Sequence, residues 1–265
     1  AYLNTALAAA KEAALIINKG ADNRRFIKKK EKAPNDFVTE IDLQAEACIM
    51  EAISACYPDH RFLTEESHPD TELEGDAPLW IIDPLDGTSN FLRGIDQYVI
   101  SIAVYDKGQV QHGLIYNPTS GDYYAATRGR GARFNAKRIR VEQQNNRLST
   151  AMVSTSLPRN RDYLDKQLAI FRQLAQKSKI RSSGSFALDL AYVASAKLDA
   201  FWCYDAKIWD YAAGLLIVQE AGGRLTSLEG APLTFPCEHI LASSPALLPA
   251  CLTLLNETHK VKKEA

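Results

Sequence analysis

The chain has 265 residues, of which 46% are hydrophobic and 24% are charged, so it can bury one large core or two smaller ones. Its 31 Lys and Arg residues nearly balance its 32 Asp and Glu residues, and the formal net charge is −1. This balance excludes recognition of nucleic acid or of an anionic membrane through overall charge alone. The basic cluster RRFIKKKEK at residues 24–32 is predicted to be a solvated loop or helix end, and a phosphate-attracting rim is the less favoured interpretation.

The five cysteines form no C-x-x-C pair and show no spacing typical of a zinc site. Cys48 and Cys56 fall on an apolar helical pattern and are predicted to be small buried hydrophobes. Unpaired thiols in an odd number favour a reduced, cytoplasmic protein. The first twenty residues carry Lys11 and Glu12 inside an alanine-rich run, which predicts an amphipathic helix and not a signal peptide or a membrane span.

The first half of the chain predicts two helices followed by short strands. Apolar residues recur at helical spacing from Leu3 to Ile17, and Gly20 is predicted to end this helix. A second helix is predicted to begin at about Thr39. Strands are predicted in RFLTE, LWIID, YVISIAVYD and VQHGLIYNP, with a hairpin turn at residues 106–108, and further short strands over 121–144.

After a polar segment the pattern changes to alternating strands and helices. Strands are predicted at 151–155 and in DAFWCY, with a third between them, and helices at about 163–176, 185–196 and 211–221. This order indicates an α/β half that follows a half with helices first and an antiparallel sheet after them. We therefore predict a soft boundary near Arg147, dividing residues 1–146 from 147–265 within one catalytic unit.

The segment WIIDPLDGTSNF carries two acids, Asp83 and Asp86, directly after an apolar strand. Two carboxylates so close repel each other unless a cation lies between them, and Pro84 stiffens the backbone that joins them. Mg²⁺ prefers carboxylate oxygens, water and substrate phosphate as ligands, and the Leu85 carbonyl lies next to the pair. The pattern predicts a divalent metal site.

Other acids fit the same site but also have purely structural interpretations. Glu65 ends another apolar strand, and considered alone it would be surface charge. Asp210 lies where a strand gives way to a helix and alone would be a helix cap, while Asp42 and Thr39 match a capping box. No His or Cys accompanies these acids, so an oxygen-only set favours Mg²⁺ or Mn²⁺ over zinc.

Gly87 and Thr88 add the features of a phosphate site. Glycine permits a close approach of the backbone, and amide groups at a helix start point at an anion. Thr88 is either a helix cap or a group that orients a water molecule beside the metal.

Four segments together resemble the inositol monophosphatase family of Mg²⁺-dependent, lithium-sensitive phosphatases: NDFVTEID, FLTEES, WIIDPLDGTSNF and IWDYAAGLLIVQEAGG, in that order. RSSGSFALDLAYVASAKLDAF is similar to the C-terminal half of the family. The resemblance implies a layered α-β-α-β-α sandwich of mixed α+β and α/β character, usually a homodimer. It also implies Mg²⁺, with Mn²⁺ as a possible substitute and Li⁺ as an inhibitor.

The resemblance implies a role for each matching residue. Glu65, Asp83 and the Leu85 carbonyl match a first metal site, and Asp83, Asp86 and Asp210 match a second. Thr88, paired with Asp42 and helped by Glu65, matches the group that activates the attacking water. The backbone of Gly87 and Thr88 matches the phosphate cradle.

The departures from the family lie on the side that would hold the alcohol of the substrate. Cys203 stands where inositol-selective members usually have a glutamate, Asp205 where a glycine is common, and Phe186 where a small residue follows Gly184 and Ser185. Loss of a hydroxyl-binding carboxylate matters, because hydrogen-bonded pockets discriminate better than apolar ones. The alternative is that Cys203 and Phe186 only fill space while Asp205 binds the hydroxyls.

The function expected from the residues and the resemblance is hydrolysis of a small polyol phosphate by two-metal-assisted attack of water. Inositol 1-phosphate is the leading substrate, and histidinol phosphate, a sugar phosphate or a 3′-phosphonucleotide are the alternatives. No membrane or nucleic-acid partner is expected. A competing hypothesis from another class is a regulatory protein that binds a macromolecular partner and has only secondary activity.

Overall fold

The computed structural model describes residues 1–33, 36–158 and 160–261. Asn35, at the start of the NDFVTEID segment, lies outside the described residues. The helices of the described part are α1 (Tyr2–Asp22), α2 (Glu40–Cys56), α3 (Thr88–Arg93), α4 (Leu164–Ala175), α5 (Phe186–Ala194), α6 (Ile208–Glu220) and α7 (Leu248–Val261). None of these helices is both long and apolar enough to cross a membrane.

Two large sheets and a small hairpin contain the strands. The first half supplies the hairpin β1 (Lys29–Ala33) and β2 (Asp36–Thr39), and the strands β3 (Arg61–Thr64), β4 (Leu79–Asp86), β5 (Val99–Asp106), β6 (Gln109–Tyr116), β7 (Tyr123–Thr127), β8 (Ala132–Phe134) and β9 (Lys137–Arg138). The second half supplies β10 (Met152–Thr155), β11 (Lys179–Arg181), β12 (Ala200–Cys203), β13 (Arg224–Thr226) and β14 (Ile240–Ser243).

The larger sheet has seven strands in sequence order, β3 to β9, and only the β3–β4 pair is parallel. The smaller sheet has the order β11-β10-β12-β14-β13, with parallel pairing between β11, β10 and β12 and antiparallel pairing beyond β12. The predicted hairpin at residues 106–108 is confirmed, because Lys107 and Gly108 both adopt the left-handed conformation that such a two-residue turn needs.

Alternation along the strands places each sheet between two helical layers. On β4, Trp80 and Ile82 pack with α1 and α2, whereas Ile81 packs on the other face with α5 and α6. On β12, Phe201 joins that same central core, while Trp202 faces α4 and α7. The layers therefore run α1/α2, seven-stranded sheet, α5/α6, five-stranded sheet, α4/α7, which confirms the expected α-β-α-β-α sandwich.

Several local predictions are wrong. Helix α1 does not end at Gly20 but continues to Asp22. Gly20 is buried, and its lack of a side chain lets the helix approach Ile41 closely. Within the basic cluster, residues 29–32 lie in strand β1. All four are charged, so they show no alternation of apolar and polar residues that would indicate a strand. Cys56 is exposed and Cys48 only half-buried, because their side of α2 turns away from the core; the five cysteines are all free thiols.

Candidate active site

A cleft of about 380 Å³ brings together acids from three separate segments of the chain. Glu65 directly follows β3, Asp83 and Asp86 lie on β4, and Asp210 lies in the first turn of α6. All four carboxylates line this cleft, together with Leu85, Gly87 and Thr88. The residues proposed from the sequence for the metal site are therefore neighbours in space.

An irregularity in β4 explains how Asp83 and Asp86 serve the same cleft. Side chains three residues apart on a regular strand point to opposite faces of a sheet. The pairing with β5 shifts between Asp83, opposite Ser101, and Asp86, opposite Val99. This bulge contains Pro84, which has no N–H to donate to the ladder, and it returns Asp86 to the face of Asp83.

Asp86 is held by the chain that enters α5. Its Oδ2 accepts hydrogen bonds from Ser185 Oγ at 2.8 Å and from the Ala187 amide at 2.6 Å. Ser185 also caps α5 by accepting from the Leu188 amide. Ser185, predicted on the alcohol side of the substrate, thus orients Asp86 and is not among the residues that line the cleft.

Asp42 and Asp210 each cap a helix and also take part in the site. Asp42 contacts the lining residue Thr88, and Asp210 lines the cleft itself. Asp42 completes the predicted capping box with Thr39 through Oδ2, while its Oδ1 accepts from Thr88 Oγ1 at 2.9 Å. Asp210 accepts from the Lys207 amide at 3.0 Å and still lines the cleft. The structural and functional interpretations of these two acids are therefore compatible.

Gly87 and Thr88 occupy the turn from β4 into α3. Gly87 has φ 100°, and a Cβ at this position would lie 2.9 Å from the Gln97 carbonyl oxygen. Only glycine meets both demands without strain. Thr88 Oγ1 lies 3.1 Å from the Leu85 carbonyl oxygen as well as near Asp42, so its single proton goes to one of these two acceptors.

Burial raises the pKa values of Asp83, Asp86 and Asp42, and repulsion from nearby carboxylates raises them further. The pKa of Asp83, which is 1% exposed, lies well above its usual value because of burial and then the nearby charges of Glu65, Asp86 and Asp210. Burial and Asp210 raise the pKa of Asp86 to about 7. Burial raises the pKa of Asp42 to about 6, although Thr39 and Thr88 donate hydrogen bonds to it.

Lys32 on β1 supplies a cation at the edge of this acidic group. Its Nζ lies 2.8 Å from Glu65 Oε1 and 2.9 Å from Glu66 Oε1. Burial opposes the charge on Lys32, but the two glutamates outweigh burial and raise the lysine pKa. The sequence did not single out this lysine, because its neighbours in the basic cluster are equally charged and only the fold selects one of them.

The donor set suits a hard divalent cation. The cleft acids provide oxygen ligands alone, and the raised pKa values of Asp83 and Asp86 are consistent with buried negative charge that the protein does not fully neutralise. In the described part of the chain, no three His, Cys, Asp or Glu side chains already converge into a ligand shell. The carboxylates are thus gathered in the cleft without being closed around a single point.

The predicted alcohol side is only partly where the sequence placed it. Gly184, Phe186 and Asp205 line the cleft. Cys203 does not: it is fully buried in the central core, because its side of β12 faces α5 and α6 and not the cleft. Burial raises the pKa of its thiol well above the usual value, which leaves it protonated and inert as a nucleophile.

The remaining wall of the cleft consists of residues that the sequence did not identify. They are Phe37, Ser89, Ser156, Leu157, Pro158, Arg161 and Tyr204. Tyr204 could have been identified, since it directly follows Cys203 at the end of β12 and successive side chains of a strand point to opposite faces of a sheet. Arg161 had none, because it lies in a single helical turn whose position depends on contacts with distant residues.

Comparison with known proteins places these features in a family. The sequence profile of the inositol monophosphatase family matches residues 1–260. A protein of Neisseria meningitidis serogroup B named putative Nus factor SuhB is 40% identical over 257 residues, covering 96% of this chain and 98% of the relative.

Solved structures agree with this match. The extragenic suppressor protein suhB from Bartonella henselae superposes with a TM-score of 0.88 at 35% identity, covering 96% of this chain and 98% of that one. The Thermotoga maritima IMPase superposes with a TM-score of 0.87 at 31% identity, covering 98% of each chain. The chain therefore belongs to the inositol monophosphatase family.

Proposed function

We propose that this protein is a Mg²⁺-dependent phosphomonoesterase that hydrolyses a small polyol phosphate by direct attack of water. The observation that carries the proposal is the cleft in which Glu65, Asp83, Asp86 and Asp210 meet beside Gly87 and Thr88. Membership of the inositol monophosphatase family supports a phosphatase activity. The other features of the proposal follow from the chemistry of these side chains.

Two groups of oxygen ligands are available for divalent ions. We assign Glu65, Asp83 and the Leu85 carbonyl to one ion, and Asp83, Asp86 and Asp210 to a second. Mg²⁺ bound there would neutralise the repelling carboxylates and polarise the phosphoryl oxygens. It would also lower the pKa of a bound water, so that hydroxide is available at neutral pH. Mn²⁺ is an expected substitute, and Li⁺ an expected inhibitor.

Thr88 and Asp42 are arranged to remove a proton from the attacking water. When Thr88 Oγ1 donates to Asp42 Oδ1, its lone pairs are free to accept a proton from water. Asp42, with a pKa of about 6, is ionised at neutral pH yet basic enough to take the proton that Thr88 gives up. Glu65, which also lines the cleft, is proposed to help orient that water.

The amides of Gly87 and Thr88 are proposed to hold the phosphate. Gly87 begins α3 in the left-handed conformation, which brings the backbone close to the cleft without a side chain in the way. Amide groups at such a turn stabilise negative charge on phosphate oxygens. As water attacks phosphorus, its proton passes through Thr88 to Asp42, the bond from phosphorus to the alcohol oxygen breaks, and the leaving oxygen takes a proton from solvent water.

Inositol 1-phosphate is the first substrate to test, since the family is named for this class of compound and one structural relative is an IMPase. Histidinol phosphate, a sugar phosphate and a 3′-phosphonucleotide are the alternatives. Initial rates of phosphate release should be compared across these four esters with Mg²⁺, with Mg²⁺ plus Li⁺, and with EDTA. Release that requires Mg²⁺ and falls with Li⁺ supports the proposal, whereas no release from any ester contradicts it.

A second candidate function rests on the relatives named Nus factor SuhB, such as the one from Neisseria meningitidis. This name favours a role in which the protein binds a macromolecular partner. We also propose a homodimer that works in the cytoplasm; the free thiols support a reducing compartment. Light scattering tests the dimer, and binding of a purified partner to an inactive Asp83→Asn variant with unchanged affinity would favour the partner-binding role.

A further inference from the structure

The alcohol side of the cleft contains a cation among acids. The residues that line the cleft include five carboxylates, Glu65, Asp83, Asp86, Asp205 and Asp210, and Arg161 is the one Lys or Arg among the lining residues that the structure describes. No ion pair within 4 Å involves Arg161 in the described part of the chain. Its side chain is exposed to the cleft and to solvent.

Hydrogen bonds to Asn160 hold the segment that carries Arg161. The Asn160 amide donates to Asp205 Oδ2 at 2.8 Å, and the Asn160 side chain accepts from the Asp162 amide at 2.9 Å. Asp205 has φ 59°, a left-handed conformation that costs energy for a residue with a side chain. The strained Asp205 therefore holds the N-terminal side of this turn in place.

Aromatic stacking fixes the same segment on its other side. The rings of Tyr163 and Tyr204 stack with centroids 5.4 Å apart and an interplanar angle of 9°. The His239 ring meets both of them edge-on, at 4.7 Å from Tyr163 and 5.0 Å from Tyr204. Because Tyr204 itself lines the cleft, this contact ties the turn containing Arg161 directly to the cleft wall.

These contacts also change the role of Asp205. One of its oxygens accepts from the Asn160 amide, and the other lies 3.5 Å from Lys207 Nζ. The carboxylate therefore already has protein partners on both oxygens. Asp205 acts as a positioning residue for the turn, and this leaves Arg161 as the charged group that the turn presents to the substrate.

We propose that Arg161 is a specificity-determining residue that binds a second anionic group on the leaving alcohol. This inference rests on the proposed phosphatase function and narrows its substrate to small polyols, including nucleosides, that carry another phosphate or carboxylate. A guanidinium group binds such anions through paired hydrogen bonds, and Leu157, Pro158 and Phe186 line the same cleft. A neutral polyol makes no comparable contact there.

The test compares two pairs of substrates that differ only in a second phosphate. They are inositol 1-phosphate with inositol 1,4-bisphosphate, and adenosine 3′-phosphate with adenosine 3′,5′-bisphosphate. The kcat/KM ratio of bisphosphate to monophosphate is measured with Mg²⁺ for the wild type, Arg161→Gln and Arg172→Gln. Arg172 is an exposed arginine near the end of α4 and outside the cleft lining, so its variant controls for a change in net charge.

We expect a ratio of about ten or more in at least one pair for the wild type, as one charge-assisted contact provides. Arg161→Gln should reduce that ratio to about one by raising KM for the bisphosphate, and Arg172→Gln should preserve it. Ratios near one in both pairs, or a high ratio that survives Arg161→Gln, would overturn the inference. Hydrolysis of none of the four esters would instead count against the phosphatase function itself.

Discussion

Single carboxylates in this protein serve the fold and the site at once. Asp42 caps α2 with one oxygen and accepts from Thr88 with the other. Asp86 is oriented by Ser185 and the Ala187 amide, which also begin α5. A substitution at such a position alters both local structure and chemistry. The effect of a buried charge is therefore better tested at a residue outside the site.

Asp189 offers a test of buried charge away from the proposed metal ligands. It is 3% exposed, accepts from Ser154 Oγ at 2.7 Å, and burial raises its pKa from 3.8 to about 6. A pKa raised in the folded state contributes stability that is complete below pH 3.8 and is lost as the pH rises through 6. The free energy of unfolding of the wild-type protein should therefore fall by about 1 kcal/mol between pH 5 and pH 8 through this residue.

The variant Asp189→Asn does not titrate, so its free energy of unfolding should gain about 1 kcal/mol relative to wild type over the same pH range. Urea unfolding of both proteins at pH 5 and pH 8 measures this difference. Asp59→Asn, on the exposed surface, is the matched control and should show no such gain. A constant difference between Asp189→Asn and wild type at the two pH values would contradict the buried-charge explanation.

At the scale of elements, glycines set how closely neighbouring elements approach each other. A Cβ on Gly113 of β6 would lie 2.7 Å from the backbone oxygen of Ala213 on α6, the helix that also carries Asp210. A Cβ on Gly20 of α1 would meet only the side chain of Ile41, at 2.8 Å. Backbone cannot yield locally, whereas the end of an isoleucine side chain can.

We expect Gly113→Ala to destabilise the protein by about 2–3 kcal/mol through overpacking. Gly20→Ala should change stability by less than about 1 kcal/mol, because the gain in helix propensity offsets the contact with Ile41. Urea unfolding followed by circular dichroism gives both values. Equal losses in the two variants would show that close backbone contact is not what fixes α6 against β6.

The sequence predicts the elements whose residues alternate or recur clearly, and it predicts the acids at their ends. Asp83, Asp86 and Asp210 were accessible in this way because each adjoins an apolar strand or helix. Strand β1 was missed because every side chain in residues 29–32 is charged. Lys32 beside Glu65 and Arg161 in the cleft were missed because their positions depend on contacts between distant segments, which no local pattern encodes.

Cys203 illustrates a different limit. The resemblance to the family placed it near the alcohol, yet a residue one position along a strand faces the opposite side of the sheet. Cys203 consequently lies in the central core, and Tyr204 lines the cleft. Substrate specificity could not be predicted at this position without knowing which face of β12 meets the cleft.

For the whole molecule, the central core joins the two halves of the chain. Ile81 and Ile115 from the first half pack in the same cluster as Phe201 and Leu216 from the second. Neither half can bury these side chains by itself. We therefore propose that residues 1–146 and 147–265 form one cooperative unit.

The full chain should unfold in a single transition, with coincident curves from circular dichroism and tryptophan fluorescence, since Trp80 and Trp202 report on the two halves. The separate fragments 1–146 and 147–265 should show no cooperative unfolding. A fragment that unfolds cooperatively with the midpoint of the full chain would contradict a shared core.

The measurement that tests the central claim most directly is Mg²⁺-dependent phosphate release by wild type, Asp83→Asn, Asp210→Asn and the surface control Asp59→Asn. Substrate is the ester that wild type hydrolyses fastest, and circular dichroism verifies that each variant is folded. Loss of either cleft carboxylate should lower kcat/KM at least about 100-fold, while Asp59→Asn should match wild type. Folded Asp83→Asn or Asp210→Asn protein with near wild-type, Mg²⁺-dependent activity would contradict a reaction that depends on metal held by these acids.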